Sequence, residues 1–200
     1  MTHSQIPNLI LASASPRRLA LLRQVRLEPG SIVPAHIDEA AKPGELPKDL
    51  ALRLAAGKAR AVAADNPDCF VLGADTVVAC GRRGLGKPEN ESEARRMLEL
   101  LSGRRHTVFG GVCVVDPVGA EHTRLVSTGV SFKRLDAKEI DDYLRSLEWR
   151  GKAGGYAIQG LAAGYVRAIS GSYSNVVGLP LFEVVQLLGG LGIRPQTEQS

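Results

Sequence analysis

An aspartate and a threonine interrupt an otherwise apolar run from Cys69 to Ala79, within Gly73-Ala74-Asp75-Thr76. An ionised carboxylate in a core strand is costly unless it is paired, hydrogen-bonded or bound to a metal. The apolar pattern resumes at once at Val77-Val78, which argues against a simple turn, although a capped strand end also fits. Near the N-terminus, Ser13-Ala14-Ser15-Pro16-Arg17-Arg18 puts two guanidinium groups in the first turn of an expected helix. Cations there oppose the helix macrodipole, and an anion held between the helix N–H groups and both arginines reverses that cost. A surface helix start with two solvated arginines is the other reading.

Three further ions bear on this chemistry: Glu39, Lys58, and Lys87 within Gly86-Lys87-Pro88. Each alone also fits a solvated loop or helix residue. Combined with Asp75 they supply what phosphoryl chemistry requires, carboxylates for a divalent cation and cations for the remaining phosphate charge. Two glycine-bearing segments, Gly151 to Gly160 and Gly171 to Pro180, complete the set. Glycines let a backbone approach a flat ligand, and the Gln159 amide can both donate and accept along a base edge. A mobile surface loop equally accounts for the glycines alone. Taken together, the segments point to nucleotide recognition.

The elements that must position these residues alternate between strand and helix patterns, which predicts an α/β layered fold. Leu9 to Ala12 reads as a buried strand feeding a helix from the Ser15 cap and Pro16 to Arg26. Ile32 to Ala35 reads as a second strand. A helix over Pro47 to Ala64 places Leu50, Leu54 and Ala61 on one face. Cys69 to Ala79 is a strand, Ser92 to Leu101 a short helix, and Val108 to Val115 pairs with Arg124 to Phe132 across Asp116-Pro117-Val118-Gly119. Asp136 and Glu139 form a capping box for a helix to Leu147. Gly151 to Gly171 holds six of the 22 glycines, so no periodicity can be read there. A last helix runs from Leu179-Pro180 to Gly189-Gly190, and the polar end after Arg194 is expected to fray.

Two hundred residues with 44% hydrophobic content suit one two-lobed domain over residues 1–200. The net charge of +4 is scattered and aromatics are 4%, which suits a small anionic ligand and argues against nucleic acid as a partner. Cys69, Cys80 and Cys113 have no metal or redox spacing and read as reduced thiols in strands. Met1 to Pro7 has no basic leader region, and the following apolar run is too short to span a bilayer. No membrane partner and a cytoplasmic location are therefore expected.

L-A-S-A-S-P-R-R, G-A-D-T-V-V, G-K-P, L-S-G-x-x-H-x-V, K-A-G-x-Y-x-I-Q-G and S-Y-S-N-V-V-G-L-P-L occur in that order across about residues 9–188. In order and spacing they resemble the Maf family. The resemblance implies a mixed α/β fold with a deep cleft, similar to that of inosine triphosphate pyrophosphatases. It also implies a divalent cofactor, Mg²⁺ or Mn²⁺, and a homodimer. The implied reaction is water attack on the α-phosphorus of a nucleoside triphosphate, releasing pyrophosphate. Asp75 matches the family's proton acceptor, and Glu39 an acidic position that helps hold the metal with Asp75. Ser13, Arg17, Arg18, Lys58 and Lys87 match phosphate-facing positions, and Thr76 and Gln159 match positions that sort substrates.

One family branch acts on dTTP and UTP, and the residues do not separate these from modified pyrimidine triphosphates. Another acts on 7-methyl-GTP and carries tryptophan at the position of Arg17 and glutamate at that of Gln159. An indole attracts a cationic methylated base and a carboxylate accepts its N–H donors, whereas glutamine matches the uracil edge. Arg17 and Gln159 thus place the chain with the pyrimidine branch. Gly110 stands where threonine is usual and Ala162 where glycine is common, so contacts at those positions are not carried over. A non-catalytic nucleotide-binding regulator linked to septum formation is the rival reading, and the presence of both Glu39 and Asp75 argues against it.

Overall fold

The central strand β3 (Phe70–Cys80) contributes to three core clusters, two on opposite faces of one lobe and one in the other lobe, and the fold is organised around its crossing between lobes. The computed structural model describes residues 6–196. β3 lies between β1 (Ile6–Leu11), parallel to it, and β5 (Arg105–Val115), antiparallel to it. β2 (Pro29–Ile32) extends the sheet beyond β1, and β6 (Glu121–Phe132) and β7 (Val166–Ser170) extend it beyond β5. β4 (Arg83–Leu85) folds back on the end of β3. The parallel half needs crossovers, supplied by α1 (Pro16–Gln24) between β1 and β2 and α2 (Pro47–Ala63) between β2 and β3. In the antiparallel half β3–β4 and β5–β6 are hairpins, whereas β5 reaches β3 through β4 and α3 (Glu91–Leu101), and β7 reaches β6 through α4 (Ala137–Arg145) and two short turns. The expected mixed, two-lobed α/β architecture with flanking helices is the one observed.

Alternation along β3 and β5 explains the layers. Leu72, Ala74, Val112 and Val114 face the core with α1 and α6 (Leu181–Gly190), while Val71, Cys113 and Val115 face α2. Further along, Val78 and Val108 enter a separate core with α3 (Glu91–Leu101), α4 (Ala137–Arg145), Val130 and Phe132. The crossing falls at Asp75-Thr76 on β3 and at their ladder partners Gly111 and Gly110 on β5. The interruption of the apolar run is therefore the point where the strand leaves one lobe for the other.

α2 packs on the sheet with its backbone. A Cβ built on Gly73 would lie 2.3 Å from the Ala55 carbonyl oxygen, and one on Gly111 would lie 2.2 Å from that of Ala51. Only glycine permits that approach. The buried stripe of α2 consequently runs through Ala51, Leu54, Ala55, Lys58, Ala59 and Val62. The expected face of Leu50, Leu54 and Ala61 is a correction, because Ala61 is exposed.

Other boundaries also move. α1 stops at Gln24 and not at Arg26, because Arg26 takes a left-handed φ of 56° and the buried Leu27 bonds back to the Leu22 carbonyl. Together with Arg26 N–H on the Arg23 carbonyl, this is a Schellman closure with arginine in glycine's usual place. β2 lies earlier than Ile32 to Ala35, because its parallel register pairs Ser31 and Ile32 with Ile10 and Leu11. The chain then leaves the sheet at Pro34, which has no N–H to offer a ladder. The Asp136–Glu139 capping box is present, but its helix ends at Arg145, ahead of a left-handed Leu147. The glycine-rich stretch contains two short 3-10 turns, Ala153–Gly155 and Leu161–Tyr165, and β7. α5 (Tyr173–Val177) precedes α6, which begins at Leu181.

All three cysteines are free; Cys69 sits just ahead of β3, and burial pushes the Cys113 thiol up to about 12. No described helix is long and apolar enough to cross a membrane. The leader reading falls largely on residues 1–5 and the fraying tail on 197–200, outside the described residues.

Candidate active site

A cleft of about 350 Å³ opens between the lobes, and every residue singled out by its chemistry lines it. Ser13 follows β1, and Arg17 and Arg18 open α1. Glu39 stands on the loop after β2, Lys58 on α2, Asp75 and Thr76 on β3, Lys87 after β4, and Gln159 beyond the first 3-10 turn. Residues spread over almost 150 positions of chain thus meet at the sheet's crossing point.

The carboxylates converge on one ammonium group. Lys58 Nζ lies 2.6 Å from Asp75 Oδ1 and 2.7 Å from Glu39 Oε1, and Lys87 Nζ lies 3.6 Å from Glu39 Oε2. Lys58 is buried, so it is not a solvated helix residue, and its ammonium group lies between the two carboxylates in the cleft lining. Burial raises the Glu39 pKa, but hydrogen bonding and charge from Lys58, with Lys87 adding to them, outweigh it and leave the carboxyl below its ordinary range.

The arginine wall is held from behind. Arg18 is buried and donates from Nε to the Gly178 carbonyl at 2.9 Å, from Nη1 to Ser13 Oγ at 3.0 Å and from Nη2 to Thr76 Oγ1 at 3.4 Å. Arg17 Nε donates to the Val177 carbonyl at 3.3 Å. Burial pulls both guanidinium groups below their ordinary range; at Arg18, Asp75 opposes the fall and Arg17 adds to it. Arginine does not lose its proton in proteins, so the shift expresses an uncompensated desolvation cost that a bound anion would offset.

The carbonyls that anchor the arginines are themselves fixed by a residue the sequence reading did not single out. Asn175 is fully buried and donates from Nδ2 to the Val108 carbonyl at 3.1 Å and to Thr128 Oγ1 at 3.0 Å. This ties α5 to β5 and β6. A Cβ at Gly110 would fall 1.8 Å from Asn175 Oδ1, so the glycine found in place of threonine makes room for the amide. Ala162, the other departure, is buried in the second lobe's core. Neither lines the cleft.

His106 and Tyr156, also from the motifs, do structural work in that second core. His106 Nε2 and Tyr156 Oη share a hydrogen bond of 2.8 Å, and the two rings meet edge-on. Tyr156 thereby fixes the segment that carries Lys152 and Gln159. Burial pushes His106 down to about 4, and its Nδ1 has no partner to support a second proton. The unfolded chain takes up that proton first, near 6.5, so stability falls as the pH drops from about 6.5 toward 4. At pH 4.5 this group alone should cost about 2.5 kcal/mol relative to pH 7.5. Urea melts should show that extra acid loss in the wild type and not in His106→Asn; equal losses would contradict the assignment.

Lys152 also lines the cleft and was not singled out as a site residue. A lone cation in a glycine-rich segment has no periodicity to mark it.

The sequence model of the family described as Maf-like protein matches residues 8–191. A dTTP/UTP pyrophosphatase of Paramagnetospirillum magneticum is 62% identical over 187 residues, covering 94% of this chain and 98% of that protein. One from Caulobacter vibrioides is 57% identical over 189 residues, covering 94% and 98%. Among solved structures, a HAM1 protein from Coxiella burnetii superposes with a TM-score of 0.51 at 16% identity, covering 91% of this chain and 98% of that one, a likeness of fold alone. With the motifs assembled in one cleft and the match running almost end to end, the chain belongs to the Maf family.

Proposed function

We propose that the chain is a metal-dependent pyrophosphatase that hydrolyses dTTP and UTP to the nucleoside monophosphate and pyrophosphate. It acts as one domain, as a homodimer, in the cytoplasm. The observation that carries this reading is the meeting of the arginine wall, the Glu39–Asp75 pair and Gln159 in one cleft. The relatives named for dTTP and UTP match over nearly the whole chain.

The donor set suits a divalent ion shared with a substrate. Glu39 and Asp75 already approach a single cation, the Lys58 ammonium, within 2.7 Å. No group of three or more potential protein ligands exists among the described residues, and two carboxylates completed by phosphate oxygens and water is an ordinary Mg²⁺ arrangement. Glu39 and Asp75 would hold the ion, which supplies charge neutralisation on the phosphates when bound.

Asp75 orients the attacking water and takes its proton as the new P–O bond forms at the α-phosphorus. The bond from that phosphorus to the bridging oxygen breaks, and pyrophosphate leaves with the electron pair. Arg17, Arg18, Lys58 and Lys87 neutralise the charge that grows on the bridging and leaving oxygens. The arginine positions are set before substrate arrives, because the Arg17 and Arg18 Nε groups are already tied to the carbonyls after Asn175.

Arg17→Ala and Lys87→Ala should each lower kcat/KM for UTP by about 10- to 100-fold, with a weaker dependence on salt than the wild type. Unchanged kinetics in both would show that these cations are merely solvated. The reading as a whole is tested by assaying a panel of nucleoside triphosphates for pyrophosphate with Mg²⁺ or Mn²⁺. Release from UTP and dTTP is expected, and none from any triphosphate would refute it.

A further inference from the structure

The chemistry above leaves one cation of the cleft unused. Lys152 caps the 3-10 turn Ala153–Gly155, in a segment whose Trp149, Ala153 and Tyr156 pack in the second lobe's core. Arg17 comes from α1, whose Leu21 and Leu22 pack in the first lobe. Both line the same cleft, so two like charges project into one space from opposite lobes.

Lys58 and Lys87 have carboxylate partners. Lys152 has no carboxylate within ion-pairing distance among the described residues; its one side-chain hydrogen bond runs from Nζ to the Arg150 carbonyl at 3.1 Å. An ammonium group has three donors, so two remain. Burial lowers the Lys152 pKa, and the charge of Arg17 lowers it further, against a smaller opposing effect of Glu148. Two cations brought together without a counterion repel each other, and an anion between them reverses the sign.

A pyrimidine nucleoside triphosphate is negative only on its phosphates, since the uracil edge is neutral. Phosphate oxygens are thus the only ligand atoms whose charge would offset the like charges of Lys152 and Arg17. Gln159 stands seven residues further along the same segment, held by the His106–Tyr156 bond. One rigid stretch can thus offer charge to the phosphates and an amide to the base.

We propose that Lys152 is a further substrate-contacting residue, which with Arg17 grips the polyphosphate from opposite lobes of the cleft. The inference rests on the triphosphate reading above.

The test measures binding of α,β-methylene-UTP and of uridine by calorimetry, in the presence of Mg²⁺, with the wild type, Lys152→Met and Lys152→Arg. Methionine keeps the apolar stem and removes the charge, and a melting midpoint checks each fold. Lys152→Met should bind the triphosphate analogue about 10- to 100-fold more weakly, with uridine binding unchanged. Lys152→Arg should recover most of the loss, which a purely structural role would not predict. Wild-type binding of the analogue by Lys152→Met would overturn the clamp and leave the pyrophosphatase reading standing. Absence of analogue binding by the wild type would overturn both.

Discussion

Asp75→Asn should lower turnover of UTP by about 10²- to 10⁴-fold, the usual cost of losing a general base. The amide keeps the shape of the carboxylate but cannot take the proton of the attacking water, and it is a poor ligand for a hard divalent cation. The fold should survive. Asp75 sits in the middle of the β3–β5 ladder opposite Gly111, and its backbone pairing does not depend on its side chain. Its partner Lys58 keeps Glu39 at 2.7 Å, so no buried ammonium group is left without an anion. Steady-state kinetics and a thermal melt on the same preparation make the check. A near-normal rate with an unchanged melting midpoint would remove Asp75 from the chemistry.

The second large effect is base choice. UTP and dTTP should be preferred over GTP and 7-methyl-GTP by several powers of ten, because a site built to hydrogen-bond one edge leaves buried polar groups unpaired with the wrong base. Gln159 lines the cleft and is exposed there, with its amide available to a ligand. Arg17 stands at the mouth of α1 where the other family branch carries an indole. Nothing in the cleft lining supplies a tryptophan: Trp149 is buried in the second lobe and donates to the Leu144 carbonyl. Arg17→Trp combined with Gln159→Glu should weaken pyrimidine turnover and raise relative activity on 7-methyl-GTP. Faster wild-type hydrolysis of 7-methyl-GTP than of UTP would end the pyrimidine assignment, even with the pyrophosphatase reading intact.

How much of this was legible in the sequence depended on whether a residue broke a local rule. Asp75 in an apolar strand and two arginines at a helix start are each unfavourable without a ligand, and both led to the cleft. Lys58 conforms to the rule for a helix residue, so its burial between two carboxylates is apparent only once α2 lies on the sheet. That docking is governed by Gly73 and Gly111 on the strands, not by the helix's own larger apolar residues, which is why the predicted face was rotated. Arginine fills the position where glycine is the usual signal for a helix end, so the sequence pattern alone carries α1 on to Arg26. The segment from Gly151 to Gly171 carries neither period, so its short turns and β7 come from packing against α3, α4 and β6. Asn175 and Lys152 lie inside the quoted motifs S-Y-S-N-V-V-G-L-P-L and K-A-G-x-Y-x-I-Q-G, but neither breaks a local rule, so their contacts are apparent only in the folded chain.

The central claim is that water attacks the α-phosphorus of a pyrimidine triphosphate in this cleft. It is tested most directly by incubating the protein with UTP and Mg²⁺ in H₂¹⁸O and identifying the products by mass spectrometry. UMP carrying one ¹⁸O on its phosphate together with unlabelled pyrophosphate is expected. UDP with labelled phosphate, or label in pyrophosphate and none in UMP, would contradict the claim.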